Sequence, residues 1–154
     1  MEAEKTAYRM VRLLRLRHSN KVRTYCIPFS DQFEEVVRAE FQKFTADIPM
    51  KPDDRLAASM ALNELALNAV EHSRSEDNQV VITFRFLGGS LNIQVRDKGR
   101  GLVVSEPKAR YYRGHGFNIV KALCDRMDVH PSGTGLTVSI TKNLWRPQIG
   151  GFSI

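Results

Sequence analysis

Cysteine is scarce in this chain: Cys26 and Cys124 are its two thiols, isolated and without metal-type spacing. A disulfide framework or a zinc site is therefore not what organises the fold, and a reducing compartment, by default the cytoplasm, is expected. Long apolar runs are missing too, since no stretch approaches the ~20 residues that would cross a bilayer. The opening Met1-Glu2-Ala3-Glu4-Lys5 has acidic residues and no apolar segment of the secretory kind. The pattern Gly-x4-Gly-Lys-Ser/Thr is absent, which argues against a P-loop enzyme. Without zinc-finger spacing or an aromatic RNA-binding motif, direct nucleic-acid binding is not expected either. There is no internal repeat and no low-complexity segment.

What is present suits one soluble domain. The 154 residues are 42% apolar and 26% charged, long enough for a single core and short for two. The net charge of +6 is unevenly placed. Residues 1–23 carry seven Lys/Arg against Glu2 and Glu4, whereas the other 131 residues carry sixteen basic and fifteen acidic side chains. The basicity belongs to a leader and the body is near neutral. Residues 1–22 are accordingly expected to be a basic, partly disordered leader, with a partner-binding or membrane-surface helix as the alternative, because Ala3, Ala7, Met10, Val11 and Leu14 fall at helical spacing.

Along the chain, Arg23–Phe29 is rich in β-formers and reads as a first strand, with Pro28 suited to an edge. Ser30 or Asp31 can cap a helix to about Thr45, with Phe33, Val36, Val37, Glu40, Phe41 and Phe44 along one stripe. After a break containing Pro49, Pro52 or Asp53 opens a long helix that ends between Ser73 and Asn78. Val80–Phe86 and Leu91–Val95 alternate as strands around a Leu87-Gly88-Gly89-Ser90 hairpin turn. A basic loop through Arg113 follows, then a helix over Phe117–Asp125, strands over Met127–His130 and Leu136–Thr141, and a tail over residues 145–154.

Three elements carry chemical signals. On the long helix, Glu64, Asn68, Glu71 and His72 fall at i, i+4, i+7 and i+8, one ridge on an element otherwise so apolar that it should be buried. A carboxylate and an amide there need compensation, which a metal ion and a phosphate would supply. Asp97-x-Gly99-x-Gly101 follows a strand. Gly114-His115-Gly116 opens a helix, where glycines permit close backbone approach and unpaired N–H groups face an anion. Singly, each motif is as readily a turn; in this order and spacing they are far more specific.

Together they resemble the GHKL ATPases, and within them the anti-sigma-factor serine/threonine kinases with the Bergerat nucleotide-binding fold. The matching stretches are Glu64-x-x-x-Asn68-Ala-Val-x-His72, Asp97-x-Gly99-x-Gly101 and Gly114-His115-Gly116-Phe117-x-Ile119-Val120, with Gly135–Lys142 resembling the last strand. The likeness covers roughly residues 22–144. It implies an α+β two-layer sandwich, a mixed, mostly antiparallel sheet with helices on one face, and a kinase domain over residues 23–144. It further implies ATP and Mg2+ as cofactors, with Glu64 as general base and Asn68 as the Mg2+ ligand. Asp97 would accept the adenine amino hydrogen, and Gly99, Gly101, Arg113, Gly114, His115, Gly116, Phe117 and Thr137 would complete the ATP site. His72 is read as capping or packing. Arg100 and Arg110 are further lid cations, ranked behind Arg113.

Where many relatives place a threonine directly after the last strand's glycine, this chain has Leu136, with Thr137 one place on. Strand alternation points these two to opposite faces, so Thr137 is no simple substitute. By the same resemblance the partners are a STAS-type antagonist protein, a sigma factor and a second copy of the chain. An ATP-gated switch that captures a partner without phosphorylating it is the alternative. A histidine-kinase reading falls behind, because His18 is followed by Ser19-Asn20 rather than an acidic residue.

Overall fold

Alternation of apolar side chains builds the sheet on which everything else rests. The computed structural model describes residues 1–7, 20–72, 78–97, 115–144, 148–149 and 152–153. Strands β1 (Lys21–Pro28), β2 (Gln79–Leu87), β3 (Ser90–Asp97), β4 (Arg126–Ser132) and β5 (Gly135–Asn143) form a five-stranded sheet in the order β1-β2-β3-β5-β4. Every pairing within it is antiparallel, sharper than the mostly antiparallel sheet expected. Pro28 does lie on an edge strand, β1. That strand starts two residues earlier than expected, so Lys21 and Val22 belong to the sheet. The β2–β3 hairpin turns through Gly88 and Gly89 with φ of 57° and 84°, the two left-handed residues of a tight hairpin.

Register aligns the inward side chains into rows. Phe84, Ile93, Ile140 and Met127 form one row across β2, β3, β5 and β4, and Ile82, Val95, Val138 and Val129 the next. Helices α1 (Phe33–Thr45), α2 (Pro52–His72) and α3 (His115–Leu123) cover this face as a second layer. From α1, the rings of Phe41 and Phe44 stand 6.0 and 5.4 Å from that of Phe84. The outward face is polar, with Thr24 bonded to Thr83 and Asn92 to Ser139 and Thr141. Two further short strands, β6 (Gln148–Ile149) and β7 (Phe152–Ser153), pair with each other within the expected tail. Residues 2–7 are helical; the rest of the leader through residue 19 lies outside the described residues.

Three expectations change. Helix α1 begins at Phe33 behind Gln32, and no side chain caps its N-terminus. Ser30 Oγ instead accepts the Gln32 N–H at 3.3 Å, in a turn ahead of the helix. Val36 is 37% exposed, because the buried stripe runs through Phe33, Val37, Phe41 and Phe44. The largest change concerns α2, which is not buried around its circumference. Its inner stripe is Ala58, Ala61, Leu62, Leu65, Ala66 and Ala69, while Leu56 and Met60 are 60% and 46% exposed. Four alanines on the inner side let the helix approach its neighbours closely, with Leu62 and Leu65 filling the core between them.

A candidate nucleotide site on the long helix

Helix α2 starts as expected at Pro52, a residue pre-shaped for the first helical position, with Asp53 and Asp54 in its positive first turn. Its inner stripe leaves Glu64 and Asn68, one turn apart, half-buried on the flank. Helix α3 occupies that flank, in contact with α2. A Cβ added at Gly116 would lie 3.1 Å from Glu64 Oε2, 3.1 Å from Asn68 Nδ2 and 3.5 Å from Asn68 Oδ1. The first turn of α3 therefore rests close on the ridge, where any larger residue would push the Glu64 and Asn68 side-chain ends aside. Helix-start N–H groups, a carboxylate and an amide converge there, a donor and acceptor set that suits a phosphate accompanied by a divalent ion. Among the described residues no three His, Cys, Asp or Glu side chains gather into a metal site.

Asp97 ends β3 and is 9% exposed. Its Oδ1 accepts the main-chain N–H of Leu136 at 3.0 Å, a bond that the sequence did not announce. It depends on Gly135, at φ 153°, where a Cβ would fall 2.0 Å from the Asp97 carbonyl oxygen. Position 136 thus serves Asp97 through its backbone, which explains how a leucine can stand there. The Leu136 side chain packs against the core. Thr137 pairs with Arg96 and His130, and strand alternation puts it on the sheet face away from Asp97. The structure does not bring it to the other candidates. Phe117 is 6% exposed in the core and anchors α3 from below.

The other predicted residues are less complete. His115 opens α3, but its side chain, like that of His72 at the end of α2, lies outside the described residues. So do Gly99, Arg100, Gly101, Arg110, Arg113 and Gly114. Glu71 is exposed, apart from the half-buried Glu64 and Asn68.

The fold and ridge define a class, a two-layer α+β domain whose long helix sets a carboxylate and an amide beside the glycine-containing start of a second helix. The chain belongs to the histidine kinase-like ATPase domain family, whose model matches residues 30–142. Among curated proteins it is similar to the serine-protein kinase RsbW of Staphylococcus aureus (strain JH9), with 25% identity over 139 residues, 80% of this chain and 87% of that protein. Among solved structures it is similar to the RsbU and RsbW domains of a Mycobacterium tuberculosis protein, at a TM-score of 0.66 and 22% identity. That match takes in 82% of this chain and 33% of the other, so the chain spans about a third of that protein. The SiaB–SiaC complex from Pseudomonas aeruginosa matches 92% of this chain and 99% of that one, at a TM-score of 0.58 and 10% identity. Both structural likenesses bear on the fold. No helix among the described residues is long and apolar enough to cross a membrane.

Proposed function

We propose that this domain is an ATP- and Mg2+-dependent serine/threonine protein kinase of the anti-sigma-factor type. It transfers the γ-phosphate to a hydroxyl of a STAS-type antagonist protein, restrains a sigma factor, and acts in the cytoplasm as a homodimer. The observation that carries the reading is the close seat of Gly116 on the ridge, where an added Cβ would lie 3.1 Å from both Glu64 Oε2 and Asn68 Nδ2. The family match over residues 30–142 and the similarity to RsbW support it.

In this reading each residue has a physical task. Glu64 accepts or orients the proton of the attacking hydroxyl, which a half-buried carboxylate beside the phosphate can do without ligating the metal. Asn68 holds Mg2+ through its side-chain oxygen. The ion, when bound, neutralises charge on the phosphate oxygens. Main-chain N–H groups at the start of α3 cradle the phosphates, with Gly114 and Gly116 allowing the approach. Asp97, oriented by the Leu136 N–H, accepts the adenine amino hydrogen and selects against a 6-oxo purine. Gly99, Gly101, His115 and Arg113 complete the site on the lid side.

The test uses purified protein, Mg-ATP labelled at the γ-position and a candidate STAS-type protein, with Glu64→Gln as control. Label should pass to the acceptor with wild type and fall by at least ~100-fold with Glu64→Gln, the range for loss of a general base. If wild type binds ATP, retains its partner and never labels it, ATP-gated capture replaces the kinase.

A further inference from the structure

The far end of α3 is fastened by directed bonds. Lys142, on β5, has a side chain only 16% exposed. Its Nζ donates to the Leu123 carbonyl at the last turn of α3, at 3.1 Å, and lies 3.8 Å from Asp54 Oδ1 in the first turn of α2. A cation suits both places, the negative end of one helix and an acidic first turn of the other. Two neighbouring bonds close the same joint. The Asp125 N–H donates to the Thr141 carbonyl at 2.9 Å, and Asp125 Oδ2 accepts the Asn143 N–H at 2.7 Å.

The two helices run antiparallel, because Gly116 at the start of α3 meets Glu64 and Asn68 on α2 while Leu123 at its end shares Lys142 with Asp54. At a rise of 1.5 Å per residue, these two contacts are about 10 Å apart along α3 and, along α2, about 15 Å apart measured from Glu64 and about 21 Å from Asn68. A helix of 9 residues is too short to be stable alone, so its position follows its attachments. Phe117 and Val120, 6% and 0% exposed, hold it against the core, but apolar packing is non-directional and sets axial position weakly. A directed bond to the last carbonyls sets it better.

On the nucleotide-site reading above, we infer that Lys142 is a positioning residue. From the far end of α3, it fixes how the phosphate-binding first turn sits over Glu64 and Asn68. The consequence is selective for part of the ligand. Asp97 sits at the end of β3 and accepts the Leu136 N–H from β5, two anchors that lie outside α3. Loss of Lys142 therefore weakens the hold on phosphates and leaves the base end untouched.

The experiment compares ATP with adenosine binding, by calorimetry and ligand-observed NMR, in wild type, Lys142→Met and Lys142→Arg. Lys142→Met keeps the apolar stem and removes the cation; ATP affinity should fall about 10-fold and adenosine affinity stay within about 2-fold. Lys142→Arg should recover most of the ATP loss. A merely structural role would lower melting temperature and weaken both ligands together, which overturns the inference, as does an unchanged ATP affinity. If Lys142→Met does not fold, amide exchange on wild type decides. ATP should raise protection along α3 as far as Leu123 and Cys124, and protection confined to the first turn would sink the inference. Wild type that binds no ATP would instead overturn the nucleotide-site reading itself.

Discussion

A methyl group at Gly116 would lie 3.1 Å from atoms of both Glu64 and Asn68. Both are ends of mobile side chains, so Gly116→Ala should displace them rather than break the fold. Alanine is also the better helix former by about 1 kcal/mol. Thermal unfolding should therefore be unchanged or improved, while ATP-dependent turnover falls by about 100-fold, the cost of misplacing reacting groups by roughly 1 Å. Gly135 behaves oppositely. Its φ is 153°, and an added Cβ would fall 2.0 Å from the Asp97 carbonyl oxygen, a main-chain atom that cannot step aside. Gly135→Ala should lower stability by about 3 kcal/mol or more in urea unfolding. Glu64, Asn68 and Asp97 were legible as candidates from residue type and spacing. The Leu136 N–H that holds Asp97 was not, because a backbone donor has no signature in a sequence.

At the scale of elements, α2 shows what periodicity conveys and where it stops. Apolar residues occupy so much of its circumference that the sequence alone suggests burial on every side. Only packing selects Ala58, Ala61, Leu62, Leu65, Ala66 and Ala69 as the inner stripe and leaves Leu56 and Met60 outside. Leu62→Ala should accordingly cost about 2–5 kcal/mol through transfer and cavity terms. Leu56→Gln, at a position 60% exposed, should change stability by less than about 0.5 kcal/mol. Chemical denaturation of the two variants checks this, and equal losses would mean that Leu56 is covered in solution. The strands were easier to read, since period-2 alternation and the Gly88-Gly89 turn are local signals. Helix α1 lost its expected side-chain cap because Ser30 spends its hydroxyl one step early, on Gln32.

Across the whole molecule, part of the basic leader turns out to be fold. Lys21 bonds the Phe44 carbonyl at 2.8 Å and Asp47 at 2.9 Å, and its ammonium sits 4.7 Å from the centre of the Phe44 ring. It ties β1 to the end of α1. The Lys21 hydrogen bond holds the Asp47 carboxyl below its ordinary value. A lowered carboxyl pKa favours the folded state above the unfolded value of about 3.9, and that contribution disappears as pH falls through the lower folded value. Asp47 is 63% exposed, so solvent screening keeps the effect under about 1 kcal/mol. Asp47→Asn should melt slightly lower than wild type at pH 7, and the two should converge as pH falls through the lowered folded value, as followed by circular dichroism.

By itself, the sequence determined the order of the five main strands and three helices along the chain and the placing of Glu64 and Asn68 on one ridge of the long helix. All of these depend on local spacing, turn chemistry and residue type. The tertiary structure decided which face of α2 is buried, that Gly116 rests on the ridge, that Thr137 lies on the far face of the sheet, and that Lys142 joins two helix ends. Those facts join residues distant in the chain, through β-sheet register and close approach, and the pattern along one segment does not encode its distance to another.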